Sequence, residues 1–308
     1  MLFILIFVTG CHDKVDVDHK SDRKLNVVST IGMITDIVEN VGRDRIDITG
    51  IIGEGVDPHL YKPTARDTEV LKDADIIFYN GLHLEVRITG SVFKKMDDKT
   101  KAIAVTDGID RSQLRKTSEF IGGYDPHVWH DVSLWMKATE KIQDTLIKRD
   151  PQSAEYYRSN AKYYLTQLAS LHYEMQRLSA QIPIKRRVLI TTHDAFGYLG
   201  KAYGFEVRGL LGINTEDEVS IADVRDLAEY IIENRISTMF VDTSSPPRGI
   251  FSVQAAVKAR GFNVNIGGRL FSDAMGTPGT TEGTYIGMMR HNMNVIVSRL
   301  QTELAYQE

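Results

Sequence analysis

After residue 24 the apolar positions of the chain alternate between two spacings. Short β-branched runs at Leu25–Thr30, Ile46–Ile51, Asp75–Tyr79 and Lys101–Val105 fit strands, and stretches of helical period separate them. The pattern returns in the second half, with strand-like runs near Arg187–Thr191, Glu206–Leu211, Thr238–Asp242 and Asn263–Ile266. Strands that alternate with helices predict parallel sheets with crossover helices. The expected fold class is therefore α/β, in two lobes spanning residues 25–149 and 184–308.

Between the expected lobes a single stripe of apolar or small side chains runs through Ala154, Tyr157, Ala161, Tyr164, Leu168, Leu171, Met175, Leu178 and Ile182, always in steps of three or four. Asp150 suits the N-cap, Pro151 suits the first helical position, and Pro183 ends the run. The spacing predicts one long linking helix over 150–183, roughly 45 Å at 1.5 Å per residue. A single stiff linker argues against a wide hinge motion and leaves a small tilt or a local loop change for ligand release.

Ahead of the strands the character of the chain changes. The run Met1 to Val8 is apolar but far short of the roughly 20 residues that cross a bilayer as a helix. It reads as a signal-peptide core, and its end, Val8-Thr9-Gly10-Cys11, resembles a lipobox in which Cys11 receives the lipid. From His12 to Lys24 the residues are charged and almost devoid of apolar side chains, as expected of a flexible tether, so His12 and His19 belong to a solvated linker. Cys11 is the only cysteine, which excludes an intramolecular disulfide. The rest of the composition is that of a globular protein of ordinary kind, with 308 residues, 42% hydrophobic and 25% charged. A net charge of −4 supplies no basic field for nucleic acid.

Candidate chemistry sits in four loops, each beside an expected strand or helix. The first is the turn Gly53-Glu54-Gly55-Val56-Asp57-Pro58-His59-Leu60-Tyr61, and the second is Tyr124-Asp125-Pro126-His127-Val128-Trp129-His130-Asp131. Both contain Asp-Pro-His followed by an apolar residue, and the proline stiffens the backbone that carries the imidazole. In the third, Thr191-Thr192-His193-Asp194-Ala195-Phe196, an apolar strand stops at a histidine, the end of the strand where open α/β sheets hold ligands. The fourth, Phe271-Ser272-Asp273-Ala274-Met275-Gly276, lies in a Gly- and Thr-rich loop before the last helix. A lone loop histidine is more often a hydrogen-bonded surface residue, so each segment by itself is a weak signal.

Together the strings GVDPHLYKPT, YNGLHLE, DPHVWHD, VLITTHDAFGYLGKAYGFEV and GGRLFSDAMGTPGTTEGTYIGMM resemble the zinc- and manganese-binding solute receptors of ABC importers, the TroA-like group. The resemblance runs from about Asn26 to the last helix. It implies one Zn2+ or Mn2+ per chain, carried as cargo in a cleft between two α/β lobes, with His59 and His127 from the first lobe and His193 and Asp273 from the second. Three imidazoles and a carboxylate are a four-donor set suited to zinc. The same resemblance implies an extracytoplasmic, lipid-anchored monomer that delivers its metal to a membrane permease. His130 is expected to be structural, or to hydrogen-bond near the site, and His83, His172 and His291 to stand apart from it. Trp129 and Phe196 are expected to wall it.

Two departures from subfamily patterns leave the metal open: there is no long His-rich loop of the zinc-specific kind, and His193 stands where manganese-specific members often have Glu. A zinc hydrolase and a surface adhesin are the rival readings. The hydrolase needs an open coordination position and an acid/base. Four donors close the site here, and although the carboxylate of Glu54 lies near His59 in sequence, no H-E-x-x-H or other helix-borne zinc-and-base motif appears.

Overall fold

The computed structural model describes residues 23–119 and 123–305. Cys11, the signal-peptide run and all but the last two residues of the expected tether lie outside the described residues. The first half is built on four parallel strands, β1 (Leu25–Ser29), β2 (Ile46–Gly50), β3 (Ile76–Tyr79) and β4 (Ala102–Ala104), in the order β2-β1-β3-β4. Helices α1 (Gly32–Gly42), α2 (Ala65–Asp73) and α3 (Val86–Ser91) connect them. Local chemistry starts α2 where it does: the Thr64 hydroxyl accepts from the Asp67 amide, and the Asp67 carboxylate accepts from the Thr64 amide, which closes a capping box.

Four strands also form the second half. Here β5 (Val188–His193) pairs with β6 (Glu206–Leu211) and β7 (Thr238–Asp242) with β8 (Asn265–Leu270), all parallel. Strand β5 also lies beside β7, where the Asp242 amide donates to the Thr192 hydroxyl at 3.1 Å. Helices α6 (Gly197–Tyr203), α7 (Ile221–Glu233), α8 (Arg248–Ala259) and α9 (Tyr285–Ala305) complete this half.

All eight strands lie within a few residues of their predicted places, and the largest difference is at β8. It passes through Gly267 and Gly268 to Leu270, although a Gly-Gly pair usually interrupts a strand. A bulge explains this. Met239 pairs with Ile266 and Phe240 with Gly268, so Gly267 is the extra residue, and a Cβ there would stand 2.5 Å from the Thr238 side chain. The bulge carries β8 on towards Phe271-Ser272-Asp273.

Helix α4 (Val132–Arg149) leads into the long helix α5 (Ala154–Ser179), whose 26 residues extend for about 39 Å. Tyr157, Ala161, Tyr164, Leu168, Leu171 and Met175 are buried, as the stripe predicts. The ends differ from expectation. Residues 151–153 form a tighter helical turn, and the Asp150 side chain makes no cap because its carboxylate accepts the Tyr157 hydroxyl at 3.0 Å. The helix stops at Ser179, and a turn then buries Ile182 without extending α5.

The two halves do not keep separate interiors. One continuous core runs from Val27 and Phe78 through Leu168 and Met175 to Phe196, Leu270 and Met289, while a second, smaller core around Ile190, Ile231 and Val253 belongs to the second half alone. Asp36 of α1 reinforces the junction: its carboxylate accepts the Tyr164 hydroxyl of α5 at 2.5 Å and the first amide of α9, Tyr285, at 3.3 Å. Leu168→Ala, a truncation at the middle of the shared core, is expected to cost about 2–5 kcal/mol. It should do so in a single cooperative transition, which chemical denaturation followed by tryptophan fluorescence and by circular dichroism tests. Two separated transitions would contradict a shared core.

Candidate metal centre

The repeated Asp-Pro-His has a plain structural purpose. Asp57 Oδ1 accepts from the amide of His59 at 2.8 Å, and Asp125 Oδ1 accepts from the amide of His127 at 2.9 Å. Each aspartate thus ties down the backbone two residues on, with proline fixing the residue between. His59 is thereby held in the loop after β2, and His127 just before the helical turn Val128–His130 that leads into α4. His193 is the last residue of β5, and Asp273 follows β8 by three residues. Three of the four segments therefore lie at or just beyond the carboxyl ends of strands.

The structure brings the four side chains together. One ligand-type atom from each of His59, His127, His193 and Asp273 lies within 4.8 Å of the others, and all four residues are buried. His127 Nε2 is 3.2 Å from His59 Nε2 and 3.3 Å from Asp273 Oδ1, and His193 Nε2 is 3.1 Å from Asp273 Oδ2. The outward nitrogens of two rings are held as well. His127 Nδ1 lies 2.8 Å from Asp125 Oδ1, and His193 Nδ1 lies 2.5 Å from Asp242 Oδ2. A carboxylate on Nδ1 fixes the ring and aims Nε2 at the centre, the arrangement that raises the basicity of a metal-binding imidazole.

A second contact joins the halves at the same depth. The Trp129 indole N–H and His130 Nε2 both reach the carbonyl of Ser272, at 2.8 and 3.1 Å. Because a carbonyl only accepts, His130 carries its proton on Nε2 and donates. The residue before Asp273 is thus pinned by two side chains that follow His127. His130 is consequently a positioning group outside the cluster, packed against Phe196 with ring centres 4.5 Å apart. Trp129 meets the His127 ring edge-on at 5.2 Å and walls the cluster, whereas the Phe196 ring packs on His130.

The remaining histidines divide. His172 bonds Tyr203 and Gln176, and His291 bonds the Arg269 carbonyl, and neither is among the converging donors. His83 corrects the expectation that it stands apart. It lines, with His59, Val86, Pro126, Asn214 and Glu216, a cavity of about 100 Å³ that borders the cluster. The reason is the left-handed turn Gly81-Leu82-His83, all at positive φ, which swings His83 back towards the cleft. Sequence reasoning also missed Asp242. An acidic side chain ending an otherwise apolar strand was the available signal.

Burial and neighbouring charge set the protonation of the cluster. Burial drives His59 down to about 3, with His127 and His193 adding to the effect, so its ring is neutral. Burial also disfavours charge on His127, but hydrogen bonds and attraction from Asp125 and Asp273 outweigh it and raise that ring to about 9. His193 is raised well above its ordinary value against the same burial by Asp273 and Asp242. Asp273 is held well below the usual carboxylate range, because its attraction to His193 and its bonds to His127 and His193 overcome the cost of burial. Free of metal, the cluster is a carboxylate compensated by two imidazolium rings.

The sequence comparisons agree with this geometry. Residues 27–299 match the family model described as zinc-uptake complex component A, periplasmic (ZnuA). The chain belongs to the ZnuA family. Among its relatives, the zinc-binding protein TroA of Treponema pallidum is 44% identical over 283 residues, covering 92% of this chain and 91% of that protein. The manganese-binding lipoprotein MntA of Bacillus subtilis is 40% identical over 301 residues, covering 98% and 97%. The solved structure of the Treponema pallidum periplasmic zinc-binding protein TroA superposes with a TM-score of 0.87, covering 90% of this chain and 99% of that one. The ZnuA-family fold therefore extends over nearly all of the described residues.

The raised His127 gives a signed expectation. Its stabilising interactions are fully present below the unfolded value near 6.5 and are lost as pH rises through about 9. Thermal melting of the chelator-treated protein should fall progressively between these limits. A melting temperature that stays flat or climbs across this window would contradict the charged cluster.

Proposed function

We propose that this protein is the extracytoplasmic receptor of a metal ABC importer, carrying one divalent transition metal as cargo on His59, His127, His193 and Asp273 and passing it to a membrane permease. One observation carries the reading: four buried donors from four separate segments converge, and two of the imidazoles are aimed inward by carboxylates. Four donors leave no open position for an activated water, which argues for binding over hydrolysis. The uptake and binding names of the relatives support the same choice, among them the manganese ABC transporter substrate-binding lipoprotein PsaA of Streptococcus pneumoniae, 31% identical over 288 residues.

Anchoring completes the proposal. Among the described residues no helix is long and apolar enough to cross a membrane. Attachment would fall to a lipid on Cys11, a role supported by the word lipoprotein in the names of MntA and PsaA. A single chain supplies the whole donor set, so the proposed binding needs no second copy.

Three nitrogens and one carboxylate favour zinc over manganese in vitro, because manganese prefers oxygen-rich sites of higher coordination. The cargo in the cell follows availability as well as affinity, and both a zinc-binding and a manganese-binding relative are at least 40% identical to this chain.

Elemental analysis and calorimetric titration of the purified protein should find one metal per chain, and His127→Ala or Asp273→Ala should abolish stoichiometric binding. Saturation at about 100 times Kd should add about 2.7 kcal/mol of apparent stability in the wild type and none in these variants. Wild-type metal content in both variants would overturn the assignment. Selectivity gives a separate expectation. His193→Glu exchanges a nitrogen donor for an anionic oxygen and should narrow the zinc-over-manganese preference in a competition titration. An equal or larger preference would remove His193 from the selecting set.

A further inference from the structure

The two halves meet at a second seam, nearer the surface than the Ser272 carbonyl, and every contact there converges on one loop. After β6 the segment Gly212–Glu216 leaves the second half and lies against the first. Glu119 receives the amides of Ile213 and Asn214 on its two carboxylate oxygens, at 2.6 and 2.9 Å. Arg87 of α3 pairs with Glu216 at 3.1 Å. A Cβ at Gly212 would sit 2.5 Å from a Glu119 oxygen, so glycine is what lets the carboxylate reach the amides.

The contact nearest the cluster is between Thr215 and Asp57. The Thr215 hydroxyl donates to Asp57 Oδ2 at 2.6 Å, while Asp57 Oδ1 holds the amide of His59. One carboxylate therefore grips a residue of the second half with one oxygen and a candidate ligand of the first half with the other. Asn214 and Glu216 also line the 100 Å³ cavity in which His59 and His83 take part. Elsewhere the halves are joined by the apolar core through α5 and α9, by the buried bonds to Ser272, by the Asp36 junction, and by a polar set in which Arg115, Asp125 and Gln113 meet Asp194, Tyr198 and Lys201; none of these contacts touches the turn that holds His59.

We propose that Gly212–Glu216 is the latch of the metal cleft, and that Thr215 is a positioning residue that holds His59 in place through Asp57. The proposal rests on the metal-carrying reading above. When the latch is closed, Asp57 is fixed from both sides and His59 stays with the other donors. When Thr215 and the Glu119-bound amides let go, His59 loses its support, and the metal exchanges on this side of the molecule while the core remains packed. Thr215 acts through Asp57 and does not touch the metal.

Stopped-flow transfer of zinc from the loaded protein to excess chromogenic chelator tests this directly. Thr215→Val removes the hydroxyl at nearly constant volume and should speed release about tenfold or more, the scale of one lost hydrogen bond to a charged group. Thr215→Ser restores the donor and should release zinc at the wild-type rate, which a purely steric role of the side chain would not produce. Glu119→Gln keeps the shape but sets an amide against a backbone N–H, and should also accelerate release while leaving one zinc per chain. This variant decides the matter if Thr215→Val does not fold. Wild-type release rates in Glu119→Gln and in folded Thr215→Val, or equal acceleration in the Val and Ser variants, would overturn the latch while leaving metal binding intact. Absence of stoichiometric zinc in the wild type would overturn the metal reading itself, and the latch with it.

Discussion

A carboxylate sealed from water must be compensated, and the centre of this protein is arranged around that requirement for Asp273. Burying an ion costs several kcal/mol unless partners repay it in good geometry. The repayment comes from His127 and His193, each within 3.3 Å of an Asp273 oxygen. Those rings in turn lean on Asp125 and Asp242, and Asp125 is itself paired with Arg115. A dication placed among the nitrogens would take over the compensation that protons on His127 and His193 supply. Metal binding and protonation are then alternatives at one buried site, and affinity is tied to pH through the groups that aim the ligands.

This electrostatic centre functions only because the surrounding framework holds its parts from opposite sides. The shared core along α5 and α9 and the junction at Asp36 keep the halves in register. Bonds from Trp129 and His130 fix the residue before Asp273. A receptor that must also give up its cargo needs at least one boundary that yields at lower cost. Polar contacts near the surface, exchangeable with water, are cheaper to break than apolar packing, and the seam proposed as the latch, carried by Asp57, Glu119 and Arg87, is of that kind. Stiffness along the long helix and softness at one loop are thus compatible properties of one molecule.

Much of this was legible in the sequence, for reasons that differ by element. Strand positions followed from β-branched runs of the right length, and the buried face of α5 from an unbroken three-and-four spacing. The four candidate ligands were legible through the family resemblance of their segments, each weak by itself, and local residues fix the ligand backbone in the two Asp-Pro-His turns. Features that depend on distant partners were not legible. Asp150 reads locally as a cap but is drawn to Tyr157 across a turn. Asp242 reads as the end of a strand, and only the placement of β7 beside β5 reveals it as the support of His193. His83 seemed misplaced because positive φ at three successive residues is invisible in residue identity when only the first is glycine. Cys11, whose proposed role is attachment, lies outside the described residues, and its support is the sequence pattern together with the lipoprotein names of relatives.

The central claim is that a metal ion and protons compete for the same buried donors. Calorimetric titration of zinc into the protein near neutral pH, repeated in buffers of different ionisation enthalpy, counts the protons expelled per metal bound. With His127 raised to about 9 and His193 raised well above its ordinary value, the account requires about two protons released for each zinc. Stoichiometric binding with no proton release would contradict it.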